Sequence, residues 1–425
     1  MKRKNISYTR RRAMKRKILL SFIMTVIILS ACNSGGEKVS SSKNKSVSNV
    51  SSDTVTSDSK ETTDNTQSNS SKKGIDEKTT EDTVITELKK GKFEYNENVK
   101  KIVPPVKDID FEGYSDKGVY FSLTKKHDEM LDGGLCDTTY YINDEKGNRE
   151  VYKVNNNFYG IFKGRYEGDL IVGFDGGFEK EEAGWTFSIH RIGANGGEII
   201  CKGIGWRLME TQIIGDSLVY YIGNDEKGVG ILNGYNFKTK ENEEIVKYKY
   251  RENEQGELLE GKRVYALDGF KDGVVFRTEI ADKKGKDLEK GREWENLYYD
   301  FNDKSLTDLP IKHERIADYI GGDKDCVIIG DIDVDNTIDN IGTMYLKKED
   351  GSYADIILPE IKSGDEIRKS VKISDNIIGL LAGEKVYLLD YKKGIYEIIN
   401  GYGMFEQDRI VIEENNEVHI YENFK

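Results

Sequence analysis

The sequence predicts an all-β fold, a seven-bladed β-propeller closed by its N- and C-terminal strands, and three observations carry that expectation. Beyond residue 95 the apolar residues fall in short runs rich in Val, Ile, Tyr and Phe, broken by Gly, Asp and Asn. Helical periodicity is almost absent. One unit recurs: a Gly/Asp turn, an apolar run, a loop, a second run often carrying Tyr, a polar turn and a short third run.

The apolar run of that unit begins at Gly118, Asp169, Ser217, Gly273, Asp325, Asn376 and Arg409, so successive starts lie 51, 48, 56, 52, 51 and 33 residues apart. Its partner run begins at Thr139, Thr186, Ile231, Leu297, Thr343, Val386 and Val418. A period near fifty fits radially repeated four-stranded sheets. With strands lettered A (innermost) to D (outermost), these runs are B and C, and Glu150–Lys153, Glu198–Ile200, Asp355–Leu358 and Ile395–Ile398 are D. The seventh unit stops after its C strand at Phe424-Lys425, leaving an edge that invites aggregation. Lys101-Ile102-Val103 is expected to supply the missing D strand before Ile109-Asp110-Phe111 starts the first A strand. A sandwich or a pair of smaller β domains is the alternative.

Units of the form apolar-Tyr run, loop, Tyr-bearing run ending in Asp and basic turn, as in residues 377–399 (Val386-Tyr387-Leu388-Leu389-Asp390) and 297–309 (Leu297-Tyr298-Tyr299-Asp300), resemble the TolB-like and LDL-receptor-type (YWTD-like) propeller repeats found in bacterial lipoproteins. The resemblance covers residues 100–425. It implies a binding or scaffolding role and brings no catalytic residues with it.

Lys15-Arg16-Lys17 precedes an apolar run from Ile18 to Leu29, the order of a secretory signal and too short for a dependable membrane span. Leu29-Ser30-Ala31-Cys32 then resembles the lipobox of bacterial lipoproteins, which implies cleavage before Cys32 and a diacylglycerol on its sulfur. Residues 1–31 are therefore expected to be a lipoprotein signal peptide, 32–95 a lipid anchor and disordered linker, and 96–425 the propeller. From Asn33 to about Thr83 the chain is Ser, Thr, Asn, Asp and Lys without an aromatic residue, so it buries too little to offset its ordering entropy. Some fifty such residues reach on the order of 40 Å. Removing the nine basic residues of 1–31 takes the net charge from -12 to -21, which argues against nucleic acid as a partner.

Three cysteines remain besides Cys32, namely Cys136, Cys201 and Cys326, an odd number with no CxxC spacing, so neither a disulfide framework nor zinc is expected. The four histidines are scattered. There is no G-x-S-x-G elbow, Walker A motif or sialidase-type S-x-D-x-G-x-x-W box.

Connection length separates the two faces. The A-to-B turns are tight, whereas the B-to-C connections expand over 125–137, 175–184, 281–293 and 331–341 and a D-to-A connection over 250–262. Long connections on a rigid scaffold carry recognition, so that face is the expected binding surface. Its aromatic candidates are Phe178, Trp185, Trp206 and Trp294, suited to stacking on sugar or anchoring a protein, or else to pinning their own loops. Asp331-x-Asp333-x-Asp335-Asn336-x-x-Asp339 is similar to the D-x-D-x-D-G-x-x-D calcium loops of integrin-type propellers, with Asn where Gly makes the tight turn and Gly342 at position twelve. It is read either as a Ca²⁺ site or as a solvated acidic hairpin. The expected function is a lipid-anchored, extracytoplasmic propeller recognising an envelope protein or glycan. The competing readings are an envelope polysaccharide- or peptide-processing enzyme and a solute-binding lipoprotein, the last opposed by the lack of amphipathic helices.

Overall fold

The computed structural model describes residues 87–425 except 108, 128–135, 158–159, 176–185, 225, 254–255, 282–291, 314, 333–340, 359–360, 363–364, 402 and 407–408. The signal peptide, Cys32, the linker up to residue 86, Phe178, Trp185, Asp333, Asp335 and Asp339 lie outside the described residues.

All regular structure among the described residues is β. Two short strands come first, β1 (Lys89–Lys90) and β2 (Asn96–Lys101). A first unit follows, β3 (Asp110–Ser115), β4 (Gly118–Lys126), β5 (Cys136–Asp144) and β6 (Gly147–Asn157). The second is β7 (Gly160–Tyr166), β8 (Asp169–Asp175), β9 (Thr186–Gly193) and β10 (Gly196–Ile204). The third is β11 (Arg207–Ile214), β12 (Ser217–Asn224), β13 (Val229–Asn236) and β14 (Asn242–Glu252). The fourth is β15 (Leu258–Phe270), β16 (Gly273–Ala281), β17 (Arg292–Asp300) and β18 (Leu306–Asp308). The fifth is β19 (Ala317–Gly322), β20 (Cys326–Asp331), β21 (Gly342–Lys347) and β22 (Tyr353–Ile357). The sixth is β23 (Ile367–Lys372), β24 (Ile377–Ala382), β25 (Lys385–Asp390) and β26 (Ile395–Asn400). The last holds β27 (Gly403–Glu406), β28 (Arg409–Glu414) and β29 (Glu417–Glu422).

Each unit is an antiparallel meander in chain order. The expected B and C runs coincide with its second and third strands. In β5 the side chains of Cys136, Thr138, Tyr140 and Ile142 are buried in strict alternation, the period of a strand with one apolar face. In β12 every residue from Ser217 to Asn224 is buried, because a second strand is covered on both faces.

The cores lie between successive units. Tyr140 and Ile142 pack on Leu170 and Val172, Ile171 and Phe187 on Leu218 and Tyr220, and Val219 and Leu232 on Val274 and Phe276. Val275 meets Val327, Ile328 meets Leu380, and Leu388 meets Ile410. Tyr114 and Phe121 of the first unit pack with Val411, Val418 and Ile420 of the last.

The N-terminal segment ties three of these cores together. Glu87 bridges Ile357 on β22, β1 runs parallel to Ile395 and Tyr396 on β26, and β2 pairs antiparallel with β29 from Asn96↔Glu422 to Lys101↔Glu417. Along that path Leu88 enters the core between the fifth and sixth units, Phe93 the next one, and Ile102 the one between the last and first. The Glu397 carboxylate accepts from Lys92 Nζ and from the Phe93 amide, both at 2.7 Å. The missing outer strand of the last unit is thus Asn96–Lys101, a few residues ahead of the expected Lys101–Val103, and chain 87–95 belongs to the fold and not to the linker.

The connection 250–262, expected to be a loop, is a hairpin instead. Strands β14 and β15 pair through Tyr250↔Gly261, Arg251↔Glu260 and Glu252↔Leu258, joining the third and fourth units into one eight-stranded sheet. Gly261 permits it: its φ is +94°, and an added Cβ would stand 2.1 Å from the Lys249 carbonyl oxygen.

Candidate functional site

First strands of neighbouring units contact one another, β7 with β11, β11 with β15, β15 with β19 and β19 with β23, and six of the first strands share a device. A β-bulge interrupts β3 at Glu112, β7 at Ile161, β11 at Met209, β15 at Tyr265, β19 at Asp318 and β23 at Arg368. Each falls three to five residues before the turn into the second strand. A bulge sharpens the local twist and re-aims the side chains around it.

Past the bulges, polar side chains meet between units. Glu112 of the first unit, buried, accepts from Lys163 Nζ of the second at 2.7 Å and from the Ser122 hydroxyl. Asp268 of the fourth unit is fully buried and accepts from Lys369 Nζ at 2.7 Å, Tyr319 Oη at 2.9 Å, the Ser370 amide at 3.0 Å and the Gly269 amide at 2.8 Å. Lys369, from the sixth unit, also donates to Gln212 Oε1 and the Ile213 carbonyl of the third. Third, fourth, fifth and sixth units are therefore knotted through one carboxylate. Asp268 has its acceptor capacity spent on structure and is not placed to serve as a base.

A second polar cluster caps the apolar core between the fourth and fifth units, at the strand ends that carry the long connections. Arg277, Thr278 and Glu279 on β16 are all fully buried. The Arg277 guanidinium lies 4.6 Å from the Trp294 ring, whose other neighbour is the edge-on Tyr265 at 5.2 Å. Its Nη2 donates to the carbonyls of His313 at 3.2 Å and Arg315 at 3.3 Å, while Nε and Nη1 have no hydrogen-bond partner. Burial, partly opposed by the Asp331 carboxylate, brings the Arg277 pKa down to about 10, so it stays charged at neutral pH. Asp331, its side chain fully buried, takes His313 Nε2 on Oδ1 at 2.5 Å and Arg315 Nη1 on Oδ2 at 3.0 Å. His313 Nδ1 meets Tyr345 Oη at 2.8 Å. Beside the cluster Arg263 bridges Glu252 at 2.5 Å and Glu279 at 2.7 Å.

Of the aromatic candidates, Trp294 is in this cluster, half-buried and covered on one face by Arg277. Trp206 packs against the core of the second and third units. Of the four calcium candidates only Asp331 is described, and both its oxygens are engaged by His313 and Arg315. Among the described residues no group of three or more carboxylate, His or Cys ligands is gathered for a metal. Cys136, Cys201 and Cys326 are free thiols, and burial holds the Cys201 pKa up at about 12, so it is inert at neutral pH.

Sequence reading missed Arg277, His313, Arg315, Asp268 and Lys369. The apolar run 273–276 was closed where Arg277 begins, because a charged residue marks the end of a buried run unless its partners are known. The partners of Arg277 lie 36 and 38 positions away in the chain, and Lys369 lies 101 from Asp268. A cleft of about 420 Å³ also opens at the opposite, short-turn end between Lys117, Asp169, Arg191 and the turn 193–197. There Lys117 and Arg191 each meet Asp169 at 2.7 Å, so the charges satisfy one another.

No family model matches the chain, and no curated protein matches it. Among solved structures it is similar to the β-propeller domain of the Trilobed protease from Pyrococcus furiosus, at 11% identity and TM-score 0.45 over 75% of this chain and 95% of that one. It is also similar to apo AztD from Citrobacter koseri, at 10% identity and TM-score 0.40 over 69% and 88%, and to TolB from Acinetobacter baumannii, at 11% and 0.36 over 72% and 80%. Likeness at this level says nothing about function.

Proposed function

We propose that this protein is a lipid-anchored, extracytoplasmic binding module: a closed, seven-bladed β-propeller, held to the membrane through Cys32, that recognises an envelope protein or glycan at its long-connection end. The seven meanders, each packed on the next and the last on the first, support the closed ring. The observation that carries the binding reading is that the long B-to-C connections of the first, second, fourth and fifth units all leave from the end where the cationic, aromatic cluster of Arg277, Trp294 and Arg315 sits. The first strands of the third to sixth units, by contrast, meet in a polar network centred on Asp268, whose carboxylate is fully engaged, which favours a scaffold over an enzyme with a central pocket. Lys15–Cys32 supports export and anchoring.

Capture from a solubilised envelope with the purified chain, against a variant in which Arg315 and Trp294 are both replaced by Ala, tests the binding face. One partner retained by the wild type and lost by the variant supports it; equal capture by both removes that face from the proposal. Palmitate labelling of the wild type and of Cys32→Ala tests the anchor, and labelling of the variant would falsify it.

A further inference from the structure

The seam between the fourth and fifth units holds a buried cation whose donors are only partly used. Arg277 is fully buried, yet two of its three nitrogens donate to nothing, and its two bonds to the carbonyls of His313 and Arg315 are long, at 3.2 and 3.3 Å. A buried donor without an acceptor costs more than a made bond returns, so such groups are rare unless something completes them. The nearby carboxylate does not: both oxygens of Asp331 are taken by His313 and Arg315. Trp294 fixes the guanidinium plane from one side.

The surface above has the same character. Lys312 and Arg315 are exposed, Ile316 is 48% exposed, and Trp294 is half-buried. Arg315 supplies one of the carbonyls that Arg277 reaches, so the buried guanidinium lies directly beneath this rim. Two basic side chains, Lys312 and Arg315, thus stand with the apolar Ile316 at the surface of the seam that holds the unfilled donor, Arg315 already meeting Asp331 at 3.0 Å.

We propose that this seam is a recognition subsite for a carboxylate carried on an acidic peptide segment of the partner, received by Arg277 and Arg315 beside Ile316 and Trp294. The inference rests on the binding reading above and names the chemistry of its ligand. A peptide carboxylate is favoured over a neutral sugar because the unfilled donors belong to a guanidinium, whose fork matches a carboxylate and not a hydroxyl. The Arg fork suits a carboxylate, and the exposed Ile316 suits an apolar neighbour in the same peptide.

The test is fluorescence anisotropy of labelled hexaglutamate with the full chain at low salt, with hexalysine and polygalacturonate as comparison probes. Hexaglutamate is expected to bind, hexalysine not, and polygalacturonate more weakly. Arg277→Lys keeps the charge and loses the fork, and should weaken binding roughly tenfold. Arg315→Gln, at an exposed position, should weaken it by a similar factor and covers the case in which Arg277→Lys does not fold. Equal affinity in wild type and Arg315→Gln, equal binding of hexalysine, or preference for polygalacturonate overturns the subsite. Capture of an envelope protein that is indifferent to Arg315→Gln also overturns the subsite while sparing the wider function. Hexaglutamate binding without any envelope partner does the reverse.

Discussion

Lys369 Nζ stands 2.7 Å from Asp268 Oδ1, and through that contact the sixth unit reaches the third and fourth. Asp268 is fully buried and the Lys369 side chain only 23% exposed, so the pair is screened little by solvent. Asp268→Ala takes the buried carboxylate from the Lys369 ammonium and the Tyr319 hydroxyl, which keep only neutral acceptors, and leaves the Ser370 amide without its acceptor. A loss of roughly 3 to 5 kcal/mol is expected in denaturant unfolding, with Lys369→Met costing less because three donors to Asp268 survive. The double variant Asp268→Leu/Lys369→Met should recover part of the loss. A single-variant loss below about 1 kcal/mol would mean the network is ornamental.

The N-terminal segment should be needed for stability out of proportion to its length. Leu88, Phe93 and Ile102 are 2%, 7% and 7% exposed and sit in three different cores. Each change to Ala is expected to cost about 2 to 5 kcal/mol. Being far apart, the three costs should nearly add. A chain lacking residues 1–83 should melt like the full chain and one lacking 1–102 far below it. Equal melting temperatures would remove the segment from the account.

His190 makes stability fall in acid. Its ring is buried between Tyr152 Oη, 3.1 Å from Nδ1, and Ser188 Oγ, 2.9 Å from Nε2, and burial lowers its pKa from 6.5 to about 4. Below pH 6.5 the unfolded chain takes up a proton that the folded chain refuses. Stability is therefore full above pH 6.5 and drops as the pH falls to about 4, by on the order of 3 kcal/mol from this group. His190→Gln should flatten the profile in that window relative to wild type. Parallel profiles would show that other groups set the acid limit.

Calcium tests the acidic stretch after β20. If Asp333, Asp335 and Asp339 hold an ion of extracellular-grade affinity, about 10⁻⁴ to 10⁻³ M, then 1 mM calcium raises stability by about 0.4 to 1.4 kcal/mol. Asp333→Ala should abolish that rise. Since Asp331 already serves His313 and Arg315, Asp331→Asn should lower stability with or without calcium. Identical responses of wild type and Asp333→Ala would leave the stretch a solvated hairpin.

The strand pairs are legible because second strands such as Ser217–Asn224 or Ile377–Ala382 are buried on both faces and so read as largely apolar runs. What was not legible depends on contacts remote in sequence. The hairpin at 250–262 is polar and looks like a loop; its pairing follows from the close approach at Gly261. The bulges at Glu112, Tyr265 and Arg368 have no composition of their own, since register arises between two strands and not within one. Arg277 and Glu279 are charged residues in the buried stretch Gly273–Glu279 of β16, explained only once His313, Arg315 and Arg263 are in view. Of the candidate site, Trp294 and Asp331 were named from sequence, though the partners that define their roles were not.

The pairing of β2 with β29 also sets an order in time. Asn96 pairs with Glu422 and Lys89 with Ile395, so the N-terminal strands wait for partners made much later in synthesis. Contacts spanning more than 300 residues close slowly, since the intervening chain must be gathered first. Until β26 and β29 are made, Leu88, Phe93 and Ile102 lack the cores they will enter, and the partly made chain exposes both strand edge and apolar surface. Formation of the β2–β29 pair is thus a late event in folding, and the step most open to misassembly.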